Sequence, residues 1–162
     1  MNCAGVFPQA LIEDITDEDW SRVMRINLDG AFYACRAAAP YLKNSGKNGR
    51  IINLSSQAAL NGTAHGAHYG ASKAALLGLT YCLAKELGPD GITVNAILPG
   101  RIDTEMLAYA TPERRAQWLQ STPLGRFGDT ADIAELTVFL ASDKGGYITG
   151  AKINVNGGLS TG

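Results

Sequence analysis

The sequence has no apolar run near the length of a membrane span, no surplus of positive charge and no paired cysteine pattern. Each absence removes a class of function. A transmembrane helix needs about 20 consecutive apolar residues, and no charged-then-apolar leader opens the chain. Fourteen Lys and Arg face fifteen Asp and Glu, for a formal net charge of −1. That balance offers no basic stripe to nucleic acid or to an anionic membrane, so neither is an expected partner. Cys3, Cys35 and Cys82 are odd in number, widely spaced and set among apolar neighbours. They read as reduced core thiols of a cytoplasmic protein, neither a disulfide frame nor a metal site.

What is present fits one globular domain over residues 1–162. Hydrophobic residues make up 46% and charged residues 18% of the chain, enough apolar material for a core without a low-complexity tract. Helical and strand patterns alternate, which predicts a parallel sheet covered by helices. A first helix is expected over about 17–44, capped at Thr16, with an inward stripe of Trp20, Met24, Asn27, Ala31, Ala34, Ala38 and Leu42. Strands are expected over 50–56, 92–98 and 152–155, and helices over 69–87 and about 129–141. Residues 101–127 read as a long loop with a short helix. In the helix from Tyr69, the residues Ala71, Ala75, Gly78 and Cys82 form a small-residue side that invites a second helix, expected from a partner subunit.

Tyr69 and Lys73 lie one helical turn apart on the same face, with Ser56 at the end of the preceding strand. An ammonium beside a phenol favours the phenolate, drawing a group with a pKa of about 10 towards neutrality. Such a phenol gives or takes a proton, and the Ser56 hydroxyl could hold the carbonyl or alcohol it acts on. A Tyr-x-x-x-Lys pair alone is weak, since a core tyrosine beside a solvated lysine gives the same pattern. Here the three residues fall at the carboxyl ends of strands, where the sites of open α/β sheets gather.

Asn27 interrupts an apolar stripe. A buried amide must have its hydrogen bonds met, by backbone, by a water in a proton relay, or by both at once. Pro99 and Gly100, followed by Ile102 and Thr104, end a strand. They read as a turn, or as a backbone clamp on a flat amide with the Thr104 hydroxyl nearby. His65 and His68 read as solvated loop residues or as part of the substrate mouth. Arg114 and Arg115 read as a solvated helix face.

Asn2-Cys3-Ala4-Gly5, Asn27, Ser56, Tyr69-x-x-x-Lys73, Val94-Asn95 and Pro99-Gly100-x-Ile102-x-Thr104 occur in the order of the short-chain dehydrogenase/reductase family. Residues 123–128 and 155–158 fit as well, and the resemblance covers nearly the whole chain. It implies an α/β fold, the C-terminal part of a Rossmann-type doubly wound parallel sheet with flanking helices. It further implies hydride transfer between NAD or NADP and a small alcohol or ketone. Tyr69 would be the general acid/base. Lys73 would bind the nicotinamide ribose and lower the tyrosine pKa, Ser56 would stabilise the substrate oxygen, and Asn27 would anchor a relay water. Asn2, Ala4 and Gly5 match the loop on the adenosine side of the cofactor, with Cys3 in place of a usual asparagine. Pro99, Gly100, Ile102 and Thr104 match the carboxamide clamp, and 101–127 the substrate lid. Members are usually homodimers or homotetramers built on the two long helices.

The sequence departs from the family in lacking the first strands and their glycine-rich pyrophosphate turn. The residue that selects NAD or NADP is absent with them. The expectation is a fragment or a late-started reading frame that binds dinucleotide poorly by itself. The alternative is a non-catalytic subunit that joins full-length homologues through its helices.

Overall fold

The computed structural model describes residues 1–44, 46 and 48–161. Helix α1 (Asp17–Met24) starts where the Thr16 side chain accepts the Asp19 amide. A π turn (Arg25–Asp29) joins it to α2 (Gly30–Lys43). Then come β1 (Arg50–Leu54), the short α3 (Ala58–Asn61), α4 (Ala67–Leu87), β2 (Thr93–Pro99), α5 (Pro112–Ser121), α6 (Thr130–Ala141) and β3 (Lys152–Val155). The expected strands and helices are present, with ends moved by one or two residues and α4 begun at Ala67.

The sheet has the order β1-β2-β3, all parallel. Arg50 pairs with Thr93, and Ala96 with Lys152. Asn2 extends the sheet beyond β1 as a single parallel bridge to Asn53. Its amide donates to the Ile52 carbonyl and its carbonyl accepts from Leu54, both at 2.8 Å. The loop at 2–5 therefore stands at the end of a strand position.

Successive strand residues point to opposite faces. On one face Ile51 and Val94 pack with Cys35, Ala84 and Leu87 from α2 and α4, while Ala96 and Leu98 meet Leu77 of α4. On the other, Ile52 and Ile97 pack with Ile133 and Leu140 of α6. Burial on both faces explains why β2 is a nearly unbroken apolar run and not an alternating one.

Two expectations are corrected. The buried stripe of the first helical run is Val23, Asn27, Ala31 and Cys35, whereas Trp20 and Ala34 are exposed. The π turn has more than four residues per turn, so residues four apart stay in line through it. Cys35 alone of the thiols is buried, while Cys3 and Cys82 are exposed. Among the described residues no helix is long and apolar enough to cross a membrane, and no cluster of His, Cys, Asp or Glu is arranged to hold a metal.

Candidate active site

The end of β1 and the first turns of α4 bring Ser56, Tyr69 and Lys73 into one cavity wall. All three are buried. Ser55, next to Ser56, donates a 2.8 Å hydrogen bond to the Lys73 carbonyl and so ties the strand end to α4. The Ser56 Oγ accepts from the Ala58 amide at 3.1 Å and bonds the Tyr69 phenol.

Lys73 behaves differently from the expectation. Its Nζ donates to the Leu54 carbonyl at 2.8 Å and lies 5.8 Å from the centre of the Tyr69 ring. Burial pushes the Tyr69 phenol above its ordinary value, opposed only by the Ser56 hydrogen bond. The expected lowering by Lys73 is not found here, because the ammonium is turned to a backbone carbonyl and is itself desolvated. Burial holds the Lys73 amine down to about 8, with Cys3 acting weakly the other way.

Asn27 is held by the Val6 backbone and by Ser72. Its Oδ1 accepts the Val6 amide at 2.8 Å, and its Nδ2 donates to the Val6 carbonyl at 3.0 Å and the Ser72 Oγ at 3.1 Å. Both amide hydrogens are used, so the side chain has none to give a relay water. It clamps the 3–7 loop to α4, and a Cβ on Gly5 would come within 3.3 Å of Lys73 Nζ and 3.4 Å of Asn27 Oδ1.

Asn2 turns inward. Its Nδ2 donates to Asn53 Oδ1 at 2.8 Å and contacts Cys35 Sγ at 3.3 Å, while Asn53 donates to Thr80. Asn2 and Ala4 are therefore not in the wall of the large cavity, and Cys3 and Gly5 are. Pro99, Gly100, Ile102 and Thr104 line it. Gly100 has no room for a side chain, since a Cβ would lie 2.6 Å from Asn156 Cα. His68 is corrected from the solvated loop to the interior of α4, 0% exposed, with neither ring nitrogen hydrogen-bonded. His65 stays exposed, at φ 59°.

Two cavities meet at this wall. The larger, about 570 Å³, runs from Tyr69 and Lys73 past Gly5 and Ile102 to Ile133 and Thr137 of α6. The smaller, about 280 Å³, reaches from the same Tyr69 and Ser56 to Gln57, Arg101, Tyr109 and Trp118. Ser56, Tyr69 and Gly100 border both. The aromatic wall of the smaller one is continuous. Phe7 stacks on Tyr69 at 4.5 Å, Tyr109 lies 6.4 Å from Phe7, and Trp118 6.1 Å from Tyr109. Gln57, Arg101 and Arg114 had not been read as site residues. Only the fold brings α5 over the end of β1, and no spacing in the sequence signals it.

The family described as Enoyl-(Acyl carrier protein) reductase matches residues 1–160. The (3R)-3-hydroxyacyl-CoA dehydrogenase of Rattus norvegicus is 42% identical over 159 residues, 98% of this chain and 61% of that protein. The 3-oxoacyl-[acyl-carrier-protein] reductase FabG of Thermotoga maritima is 40% identical over 159 residues, with 98% and 64% covered. The crystal structure of 3-oxoacyl-[acyl-carrier protein] reductase from Brucella melitensis superposes at a TM-score of 0.93 with 36% identity, covering 99% of this chain and 62% of that one. The chain thus spans less than two thirds of the length of these relatives. With its parallel sheet, its Ser56, Tyr69 and Lys73 wall and these matches, the chain belongs to the short-chain dehydrogenase/reductase family.

Proposed function

We propose that this chain carries the proton-transfer half of an NAD(P)-dependent oxidoreductase acting on an alcohol or ketone. One observation carries the reading: Tyr69 and Ser56 stand between an apolar cavity and a second one lined by both aromatic and polar side chains. That is the arrangement needed for a hydride donor on one side and a carbonyl on the other.

The residues fit the nicotinamide end of a dinucleotide. Lys73 is 4% exposed and spends one of its three N–H groups on Leu54, leaving two for ribose hydroxyls. A side chain at Gly5 would crowd Lys73 Nζ and intrude on the cleft. When bound, the cofactor supplies or accepts the hydride. Ser56 donates to the substrate oxygen, which also takes the Tyr69 proton in reduction. In oxidation the alcohol proton returns to Tyr69 while the carbon gives up its hydride, so atoms and electrons balance. Asn27 serves as a positioning residue for the loop that carries Gly5. The stretch 101–127 acts as the lid, with α5 tied down by Arg101.

The test is isotopic. With reduced nicotinamide deuterated at C4, both as NADH and NADPH, a panel of ketones is incubated with the protein and the alcohols are weighed by mass spectrometry. Deuterium on the carbinol carbon supports the proposal, and none on any member of the panel sinks it.

A second reading rests on the outer faces of α2 and α4, where Phe32, Tyr33, Tyr41 and Tyr81 are exposed beside Gly78 and Cys82. These faces support assembly into a homodimer or homotetramer, or docking on a longer homologue. Sedimentation at micromolar concentration tests it, and a monomer without added partner removes self-assembly.

A further inference from the structure

The smaller cavity carries an inference that deepens the proposed function and rests on it. The described residues form three ion pairs, Lys43 with Asp90, Arg115 with Asp103 and Arg126 with Asp132. Arg101 and Arg114, both bordering the smaller cavity, are in none of them. Two guanidinium groups without carboxylate partners beside one pocket favour an anion there.

Arg101 is held in place. Its Nη1 alone donates to the Trp118 carbonyl at 2.8 Å, Ser121 Oγ at 2.7 Å and Thr122 Oγ1 at 3.3 Å. The guanidinium carbon lies 5.3 Å from the Trp118 ring centre. Anchored through one nitrogen, the group keeps Nε and Nη2, which have no acceptor among the described residues and form the edge that matches a carboxylate. Arg114 stands 5.3 Å from the Trp118 ring and 5.6 Å from that of Tyr109. Indole and phenol faces therefore hold both cations at the pocket.

Gln57 adds a second kind of recognition. Its Oε1 is buried and accepts no hydrogen bond, a costly state unless a ligand supplies the donor. A hydroxyl does so. Gln57 follows Ser56 in the chain and borders the same cavity.

The geometry points to a short polyhydroxy carboxylate as the substrate, its carboxylate on the free edge of Arg101 with Arg114 at the mouth, and a hydroxyl donating to Gln57. A cavity of about 280 Å³ lies just below the usual range of ligand sites, about 300 to 1,000 Å³. It suits a molecule of a few carbons better than a thioester on a pantetheine arm.

The test uses Trp118 itself. In a Trp20→Phe background the single remaining indole lines the pocket, and its fluorescence is followed against sodium D-gluconate, D-glucitol and acetoacetyl-pantetheine. The expected result is saturable gluconate binding, about tenfold or more tighter than glucitol, since a charge-assisted hydrogen bond contributes about 1.5–3 kcal/mol. Arg114→Gln, which breaks no hydrogen bond of the Arg114 side chain, should weaken gluconate about tenfold and leave glucitol unchanged. Arg101→Lys should weaken gluconate despite keeping the charge. Gln57→Leu should weaken both polyols. Equal affinity for gluconate and glucitol, tighter binding of acetoacetyl-pantetheine, or an Arg114→Gln protein that binds gluconate as before would each overturn the assignment. Gluconate binding without hydride transfer would contradict the reading of Tyr69 and leave the ligand class standing. Hydride transfer with no preference for the carboxylate would do the reverse.

Discussion

Lys73 passes the Tyr69 ring at 5.8 Å and ends on the carbonyl of Leu54, 2.8 Å away. The pair shares a helix face, yet the phenol is governed by burial and by Ser56. Tyr69 is therefore a neutral phenol around neutral pH, ready to donate a proton. Lys73 is an ammonium kept in a dry place with one protein partner.

That buried charge has a cost in stability. Lys73 is held at about 8 against an ordinary value of 10.5. Between those two values the unfolded chain binds more protons, so stability rises with pH across the window. Below about 8 both states are protonated and the full cost is present. Lys73→Met should stabilise the protein at neutral pH by about 1–3 kcal/mol while removing turnover. Urea denaturation of both proteins at neutral and alkaline pH checks it. A variant less stable than the parent at neutral pH contradicts the assigned burial cost.

The direction of the Tyr69 shift predicts an asymmetry with pH. In the proposed reaction, ketone reduction would use the protonated phenol, which burial favours, and alcohol oxidation would need the phenolate. Reduction should change little around neutrality, and oxidation should climb as the solution becomes alkaline. Initial rates in both directions across that range test this. Oxidation that peaks at neutral pH would mean a phenol shifted the opposite way.

Asn27 is fully buried and joins the Val6 backbone to Ser72 through three hydrogen bonds. Asn27→Ala leaves buried polar groups unpaired and should cost about 2–4 kcal/mol. It should also release the loop bearing Gly5. Thermal melting and amide exchange at residues 4–7 report the two effects. Unchanged exchange in that loop would show that Asn27 does not anchor it.

Gly100→Ala meets the backbone of Asn156, not a flexible side-chain tip. The strand end must shift, at about 1–3 kcal/mol, and the partition between the cavities shifts with it. Loss of dinucleotide affinity with a lowered melting temperature is expected. An alanine variant with parental melting and affinity would mean that the close approach is not constraining.

Much of this architecture was legible in the chain. Short apolar β-rich runs located β1 and β2, the alternation of strand and helix patterns placed β3 and α6, and Tyr69 with Lys73 could be placed on one face of α4 from spacing alone. The first helical run shows the limit. Its π turn keeps Val23, Asn27, Ala31 and Cys35 in line, and an ideal helix projection put Trp20 and Ala34 inside. Side-chain partners were the other limit. The Leu54 carbonyl, the Val6 backbone and the dry setting of His68 are tertiary facts. So is the fold of α5, which sets Arg101 and Arg114 over Trp118.

The central claim is that the Tyr69 hydroxyl moves the proton. Hydride transfer by Tyr69→Phe, followed by nicotinamide absorbance beside the parent, tests it most directly. A fall of about 10²–10⁴-fold in rate is predicted, with melting temperature and cofactor affinity retained. A phenylalanine variant that turns over at the parental rate would contradict the account.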